Sequence, residues 1–296
     1  MHNNQWLALE TSTDTLSLAV SRGTQTWTHT SAGGALTSTH MIPQTLGLLK
    51  EAGLALTDLQ AVVFGRGPGA FTGLRTACSV AQGLAFGADL PVLPIDTLLA
   101  VAEEARAASV TPVTRVLAVM DARMEQVYAA AYEFTPSGLD AAASGADDAI
   151  CTLGTWRCVQ APELYSPEAL HWPTDWTNDA VLESAEGSVP DAPSAGPVFI
   201  AAGNAWPVYA GRWPAALTVP QVMALPTAAA LLRLAPAAWA AGAAVPPEEA
   251  LPLYIRDKVA QTTDERMHIK AQQAEQAAQL AHLNEASKAA SPTITP

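Results

Sequence analysis

A short strand, a run of glycines and a helix follow one another between Ala61 and Gly87, in AVVFGRGPGAFTGLRTACSVAQGLAFG. Ala61 to Phe64 is an unbroken apolar run, the pattern of a strand buried on both faces. Gly65-Arg66-Gly67-Pro68-Gly69 then reads as a turn whose three glycines reach backbone angles closed to other residues, with Pro68 stiffening the exit. Apolar residues return at Phe71, Leu74, Ala77, Cys78, Ala81, Leu84 and Ala85, which is helical spacing. Gly73, Ala77, Ala81 and Ala85 lie four apart and make a smooth ridge that another backbone can approach closely. A chain built around such a unit is an α/β protein. The free amides at the helix start would suit an anion, or the glycines serve geometry alone. No Gly-Lys-Ser or Gly-Lys-Thr occurs, so this is not a Walker-type phosphate loop.

The remaining chain reads as the same order used twice. Gln5 to Leu9 is a strand, Thr11 to Asp14 a polar turn, Leu16 to Arg22 a returning strand and Gln25 to Thr30 a third. Thr37, Ser38 or Thr39 can cap a helix over roughly 38–52, with Pro43 tolerated near its first turn. After the second helix come a strand over Pro91 to Ile95 and a helix over Thr97 to Ala108. The pattern then restarts: strand Val116 to Met120, turn Asp121-Ala122-Arg123, strand Gln126 to Phe134. Val198 to Ala202 with Gly203-Asn204 echoes Ala61 to Gly69. Such an internal repeat predicts two similar lobes facing each other. The expected fold is a two-lobed, ribonuclease-H-like α/β architecture with duplicated strand–helix repeats, the ASKHA class of actin, sugar kinases and Hsp70. The expected division is an N-terminal lobe over 1–109, a C-terminal lobe over 110–261 and a flexible tail over 262–296. A variable insertion at about 135–197 carries Trp156, Trp172 and Trp176, with one short strand near Trp156 to Val159.

Composition narrows the chemistry. At 296 residues and 49% hydrophobic, the chain can bury a sizeable core. A formal charge of −13 opposes direct binding to a nucleic-acid backbone, so any link to RNA is expected to run through a partner. Cys78, Cys151 and Cys158 form neither a metal pattern nor a disulfide framework. The six histidines are scattered without metal-ligand spacing, and no Gly-x-Ser-x-Gly elbow is present. No membrane-spanning run or leader is evident, which points to the cytoplasm. In two-lobed proteins of this kind, carboxylates at the hairpin turns hold a metal–nucleotide. Glu10 with Thr11 and Ser12, and Asp121 with Arg123, occupy those turns, where such residues are also common for local reasons. The two helices at 38–52 and 71–87 carry more apolar residues than one sheet face requires. They are either core or a face for a second protein.

The segment Gly65-Arg66-Gly67-Pro68-Gly69-Ala70-Phe71-Thr72-Gly73-Leu74-Arg75 resembles the signature of the TsaB (YeaZ) family. Leu7 to Thr13 is similar to that family's first hairpin, Ala118 to Met124 to its second, and Leu253-Tyr254-Ile255-Arg256 to its C-terminal segment. The resemblance implies a part in making N6-threonylcarbamoyladenosine at position 37 of tRNAs that read codons beginning with A. It implies a non-catalytic subunit that pairs with the catalytic, metal-bearing TsaD; TsaE, an ATPase, joins them and TsaC supplies the threonylcarbamoyl-adenylate. By the same resemblance the N-terminal helices bind TsaD or, alone, a second copy. Ile42, Leu46, Leu49, Thr76 and Val80 are the expected contacts. No metal or cofactor is expected, unless ATP or ADP binds at a subunit interface, and tRNA is met only through the complex. Glu10 stands where the family usually has Asp, which makes Glu10, Thr11, Ser12, Asp121 and Arg123 at most a vestigial nucleotide cleft. The rivals are a nucleotide-dependent kinase or hydrolase using Glu10 and Asp121, and a metallopeptidase-like protein.

Overall fold

The computed structural model describes residues 4–34, 37–110, 113–136, 154–174, 176, 199–217 and 219–256. Met1–Ile255 form one compact unit, to which everything below refers. The expected tail over 262–296 and most of the segment at 135–197 lie outside the described residues.

Two five-stranded mixed sheets make up the unit. The first comprises β1 (Gln5–Glu10), β2 (Thr15–Arg22), β3 (Gln25–Ala32), β4 (Ala61–Gly67) and β5 (Val92–Asp96), ordered β3-β2-β1-β4-β5. The second comprises β6 (Arg115–Asp121), β7 (Val127–Pro136), β8 (Gly154–Tyr165), β9 (Phe199–Ala202) and β10 (Gln221–Val222), ordered β8-β7-β6-β9-β10. Antiparallel hairpins and parallel crossovers fall at the same places in both. The duplication read from the sequence is therefore a duplication of topology. β8 is twelve residues long rather than the short strand expected near Trp156, because it pairs along the length of β7 as β3 does along β2.

β4 also runs further than the sequence suggests. Gly65 and Gly67 stay in the ladder opposite Ile95 and Asp96, with a bulge between them, so the turn proper begins at Pro68. Helices α1 (Thr37–Glu51) and α2 (Phe71–Ala88) cover one face of the first sheet. Successive strand residues point to opposite faces. Leu7, Leu9, Val62 and Phe64 thus meet Met41, Leu48, Leu49, Ala77 and Ala81, while Trp6, Ala8, Ala61 and Val63 face the other way.

That second face is covered from the far half of the chain. α5 (Ala228–Ala240) lays Ala228, Leu231, Leu232 and Ala235 against Trp6, Ala8, Ala19 and Val63. In exchange, α3 (Thr97–Ala108) puts Leu98, Val101, Ala102 and Ala105 on Val116, Ala118 and Ile200 of the second sheet. Each sheet is closed by a helix that follows the other. α5 is absent from the sequence reading, because its alanine-rich run carries little periodic contrast and Pro236 lies inside it. α3 and α5 meet over a buried ion cluster: Glu103 accepts from Arg106 and Arg233, and Arg233 also donates to Glu104 at 2.7 Å. Burial alone would raise the Glu103 pKa, but Arg106, the Trp156 indole and Arg233 hold it below the ordinary carboxylate value.

The outer face of the second sheet is packed by aromatics. Trp172, Trp176, Trp206, Tyr209 and Trp213 gather on Leu117, Val119, Ala129 and Ala201, with α4 (Ala205–Val208) reduced to one turn.

Candidate functional site

The signature turn is a seat for the first hairpin. Its glycines are needed because backbone from that hairpin passes where a side chain would stand. A Cβ at Gly73 would overlap the Thr11 carbonyl, and one at Gly69 would press on Ser12. The contact is then closed by hydrogen bonds: Ala70 N–H donates to the Ser12 carbonyl at 2.7 Å, and Thr11 Oγ1 donates to the Gly73 carbonyl at 2.7 Å. Gly67, at φ +117, lies under the Leu253 carbonyl, and Leu253 N–H donates to the Arg66 carbonyl at 2.6 Å. Gly67 N–H donates to Thr97 Oγ1, and Arg66 pairs with Asp96 at 2.5 Å. Above this seat the Arg75 guanidinium lies 3.8 Å from the Phe71 ring centroid and bonds Tyr254 Oη at 2.9 Å. Hairpin, signature and C-terminal segment, distant in sequence, thus form one assembly. Pro68 is buried in it and Thr72 stands at its exposed rim.

Glu10 lies beneath this assembly, only 1% exposed. Its Oε1 accepts Ser12 N–H at 2.6 Å, while Oε2 and the Ser12 hydroxyl have no hydrogen-bond partner. The carboxyl fills the space a Gly65 side chain would need. Burial pushes the Glu10 pKa up, opposed by the proximity of the Ser12 hydroxyl and of the Ser12 and Thr11 amides. The expectation that Glu10 and Thr11 face a cleft is therefore corrected: the turn folds over both and seals them in, Thr11 being 2% exposed.

The cleft itself is lined by Ser12, Thr13, Asp14, Gly69, Ala70, Met120, Asp121, Arg123, Tyr128 and Asn204. Asp121 N–H donates to Asn204 Oδ1 at 2.9 Å, and the Asp121 carboxylate accepts from Arg123 N–H and Tyr209 Oη, both at 2.8 Å. Burial first, then the bond to Asp121, raises the Tyr209 hydroxyl to about 12. Arg123 reaches across to Asp14 at 3.0 Å, joining the two hairpin turns. Both partners are exposed, so this pair is worth less than about 1 kcal/mol. Arg123, Met124 and Glu125 all adopt left-handed backbone, with φ between 54 and 60. Gly203, at φ +136, approaches the Val119 carbonyl as Gly73 approaches Thr11. The cleft holds about 90 Å³, against roughly 300 Å³ or more for ordinary small-molecule sites. Among the described residues no three His, Cys, Asp or Glu side chains gather as a metal-ligand set.

Asp14 and Asn204 line the cleft, and the buried Tyr209 holds Asp121 in place, without these residues having been singled out as a site in the sequence. The Gly203-Asn204 echo was a pointer to Asn204. Nothing local marks Tyr209, which sits 88 residues beyond Asp121.

The expected contact residues separate into two groups. Ile42 is 43% and Leu46 51% exposed on one outward side of α1, four residues apart. Thr76 and Val80 are partly buried on α2, and Val80 packs on the core beneath. Leu49 is 2% exposed and belongs to the core, so it supports the face from within. Arginine at Val80 would disturb that core as well as any contact, whereas Leu46 offers a clean test.

A family model for TsaD, tRNA N6-adenosine threonylcarbamoyltransferase, matches residues 28–263. The tRNA threonylcarbamoyladenosine biosynthesis protein TsaB of Escherichia coli is 30% identical over 255 residues, 86% of this chain and 95% of the relative. TsaB of Haemophilus influenzae is 44% identical over 129 residues, 43% of this chain and 53% of the relative. Among solved structures, a Pseudomonas aeruginosa protein described as uncharacterized with similarity to peptidase YEAZ superposes with a TM-score of 0.66 at 33% identity, covering 85% of this chain and 99% of that one. YeaZ from the same organism gives 0.65 at 32%, with 84% and 99% covered.

Proposed function

The chain belongs to the TsaB (YeaZ) family, and on that premise we propose that it serves tRNA threonylcarbamoyladenosine synthesis as a non-catalytic subunit that binds and activates TsaD. The observation that carries this reading is the exposed pair Ile42 and Leu46 on α1, above a layer already closed by Met41, Leu48 and Leu49. Apolar side chains in excess of core needs, on a helix whose inner side is fully packed, are the kind of anchors that a protein partner buries. The acidic chain meets tRNA only through that partner, TsaE joins the assembly, and the free subunit pairs with a second copy through the same face. The work of this subunit is cytoplasmic.

The test is reconstitution of TsaC, TsaD and TsaE with tRNA, threonine, bicarbonate and ATP, with and without this chain, reading modified adenosine by mass spectrometry. Product that requires the chain, and is lost with Leu46→Arg while the fold persists, is the expected result. Product in its absence, with no complex by light scattering, would sink the reading. A nucleotide-dependent kinase or hydrolase is the second reading, favoured by the convergence of Asp14, Asp121, Arg123 and Asn204 on one cleft. ATP turnover by the isolated chain, abolished by Asp121→Ala, would establish it.

A further inference from the structure

At the C-terminal end of α2 the chain forms a second surface, away from Ile42 and Leu46. An open groove of about 580 Å³ runs between α2, the loop into β5 and the segment after α5. Ala85, Leu90, Pro91, Val245 and Pro247 form its floor and walls, and Phe86 stands beside it 79% exposed. Phe86 lies six residues beyond Val80, which at ~100° per residue places it on a different side of α2. The groove is held open by covalent and hydrogen-bonded structure. Val92 and Val245 exchange both backbone hydrogen bonds at 2.9 Å, and Cys78 and Gln82 both donate to the Ala250 carbonyl. Pro246 and Pro247 lack N–H groups, so an incoming chain cannot extend this margin as a new strand. An occupant must therefore engage through side chains.

The rim carries one sign of charge. Asp89 and Glu248 line the groove and Glu249 lies exposed next to it. Among the described residues none of the three carboxylates takes part in an ion pair or side-chain hydrogen bond. A groove of mixed lining, with apolar side chains on its floor and unneutralised acids at its edge, favours an occupant with an apolar anchor and flanking cations. Nucleic acid is repelled by the same acids. A second copy of this chain, at a formal charge of −13, brings like charge to like.

We propose that this groove is a docking site for a partner protein's peptide segment in which a bulky apolar residue, packing on Phe86 and Val245, is flanked by lysine or arginine. The site is independent of the α1 face, and its test does not use TsaD.

The experiment is selection of a random hexapeptide display library on the full chain, followed by titration of the selected peptide, fluorescently labelled, at low and high salt. The expected winners pair an aromatic or aliphatic residue with lysine or arginine and weaken as salt rises. Asp89→Asn with Glu248→Lys should reduce their affinity at least tenfold, as should Phe86→Ala. All three positions are on the surface, and asparagine is tolerated at the left-handed backbone of Asp89; far-ultraviolet circular dichroism checks that the fold persists. Winners without net positive charge, equal binding to the variants, or no enrichment at all would overturn the proposal. So would a concentration-dependent dimer in sedimentation that Phe86→Ala abolishes, since the groove would then belong to a second copy.

Discussion

The same five-strand order is built twice in this chain, yet the two copies end differently. In the first, β4 leads through the signature turn into an 18-residue helix, α2, beside a helix α1 with exposed apolar residues. In the second, β9 leads through Gly203 into the four-residue α4, and the outer face is filled by Trp172, Trp176, Trp206 and Trp213. Both turns use a glycine where the opposing hairpin's backbone passes, Gly73 against Thr11 and Gly203 against Val119. The shared part is thus the geometry that locks a turn to a hairpin. The divergent part is what covers the outside: helices that still present apolar side chains in one copy, a self-contained aromatic layer in the other. Topology was retained where backbone packs on backbone and changed where side chains cover the outside.

The comparison is broken most forcefully at the turns. Gly203→Ala and Gly73→Ala each place a methyl on a carbonyl that cannot move without dragging a hairpin, and both should cost about 3 kcal/mol or more. Gly203→Ala should be the worse of the two, because its φ of +136 adds backbone strain. Urea denaturation measures both; two mild variants would mean the turns tolerate separation from their hairpins. Next, Trp206→Ala should lose about 3–5 kcal/mol by emptying the aromatic layer, while Leu46→Arg should shift stability by less than about 0.5 kcal/mol. Equal effects of the pair would erase the distinction between a sealed outer face and an open one.

Glu103→Ala addresses the seam where the copies trade helices. It strands Arg106, 9% exposed, and the more accessible Arg233, for an expected loss of about 3 kcal/mol. An unchanged thermal midpoint would show that the α3–α5 contact holds without its ions.

At Glu10 the expected effect has the opposite sign. A carboxyl whose pKa is raised by folding binds its proton more tightly in the native state. Stability is then greatest below the unfolded pKa near 4.5 and falls as pH rises toward the raised native value. Glu10→Gln should therefore be more stable than the parent at pH 7, and the difference should disappear below the unfolded pKa. A variant less stable than the parent at neutral pH would show that the ionised carboxylate is favoured in place.

Much of this was legible in the chain itself. The apolar run of β4 announces a strand covered on both faces, and the spacing of Leu74, Ala77, Cys78, Ala81 and Ala85 announces the inner side of α2. The glycines at 65, 67 and 69 mark a turn and Gly73 a ridge open to close approach, though only Gly67 takes a positive φ, and the repeated order of elements discloses two lobes. These signals are periodic or steric, and so are local. The sequence could not say which sheet each helix would cover, since α3 and α5 are apolar enough for either and only the packed unit exchanges them. Nor could it say that Glu10 would be sealed beneath Gly65 rather than face a cleft, or that Leu49 would turn inward while Leu46 turned out. Those outcomes depend on which surfaces meet between elements far apart in the chain. Burial is decided by the partner that arrives, and tertiary structure alone supplies it.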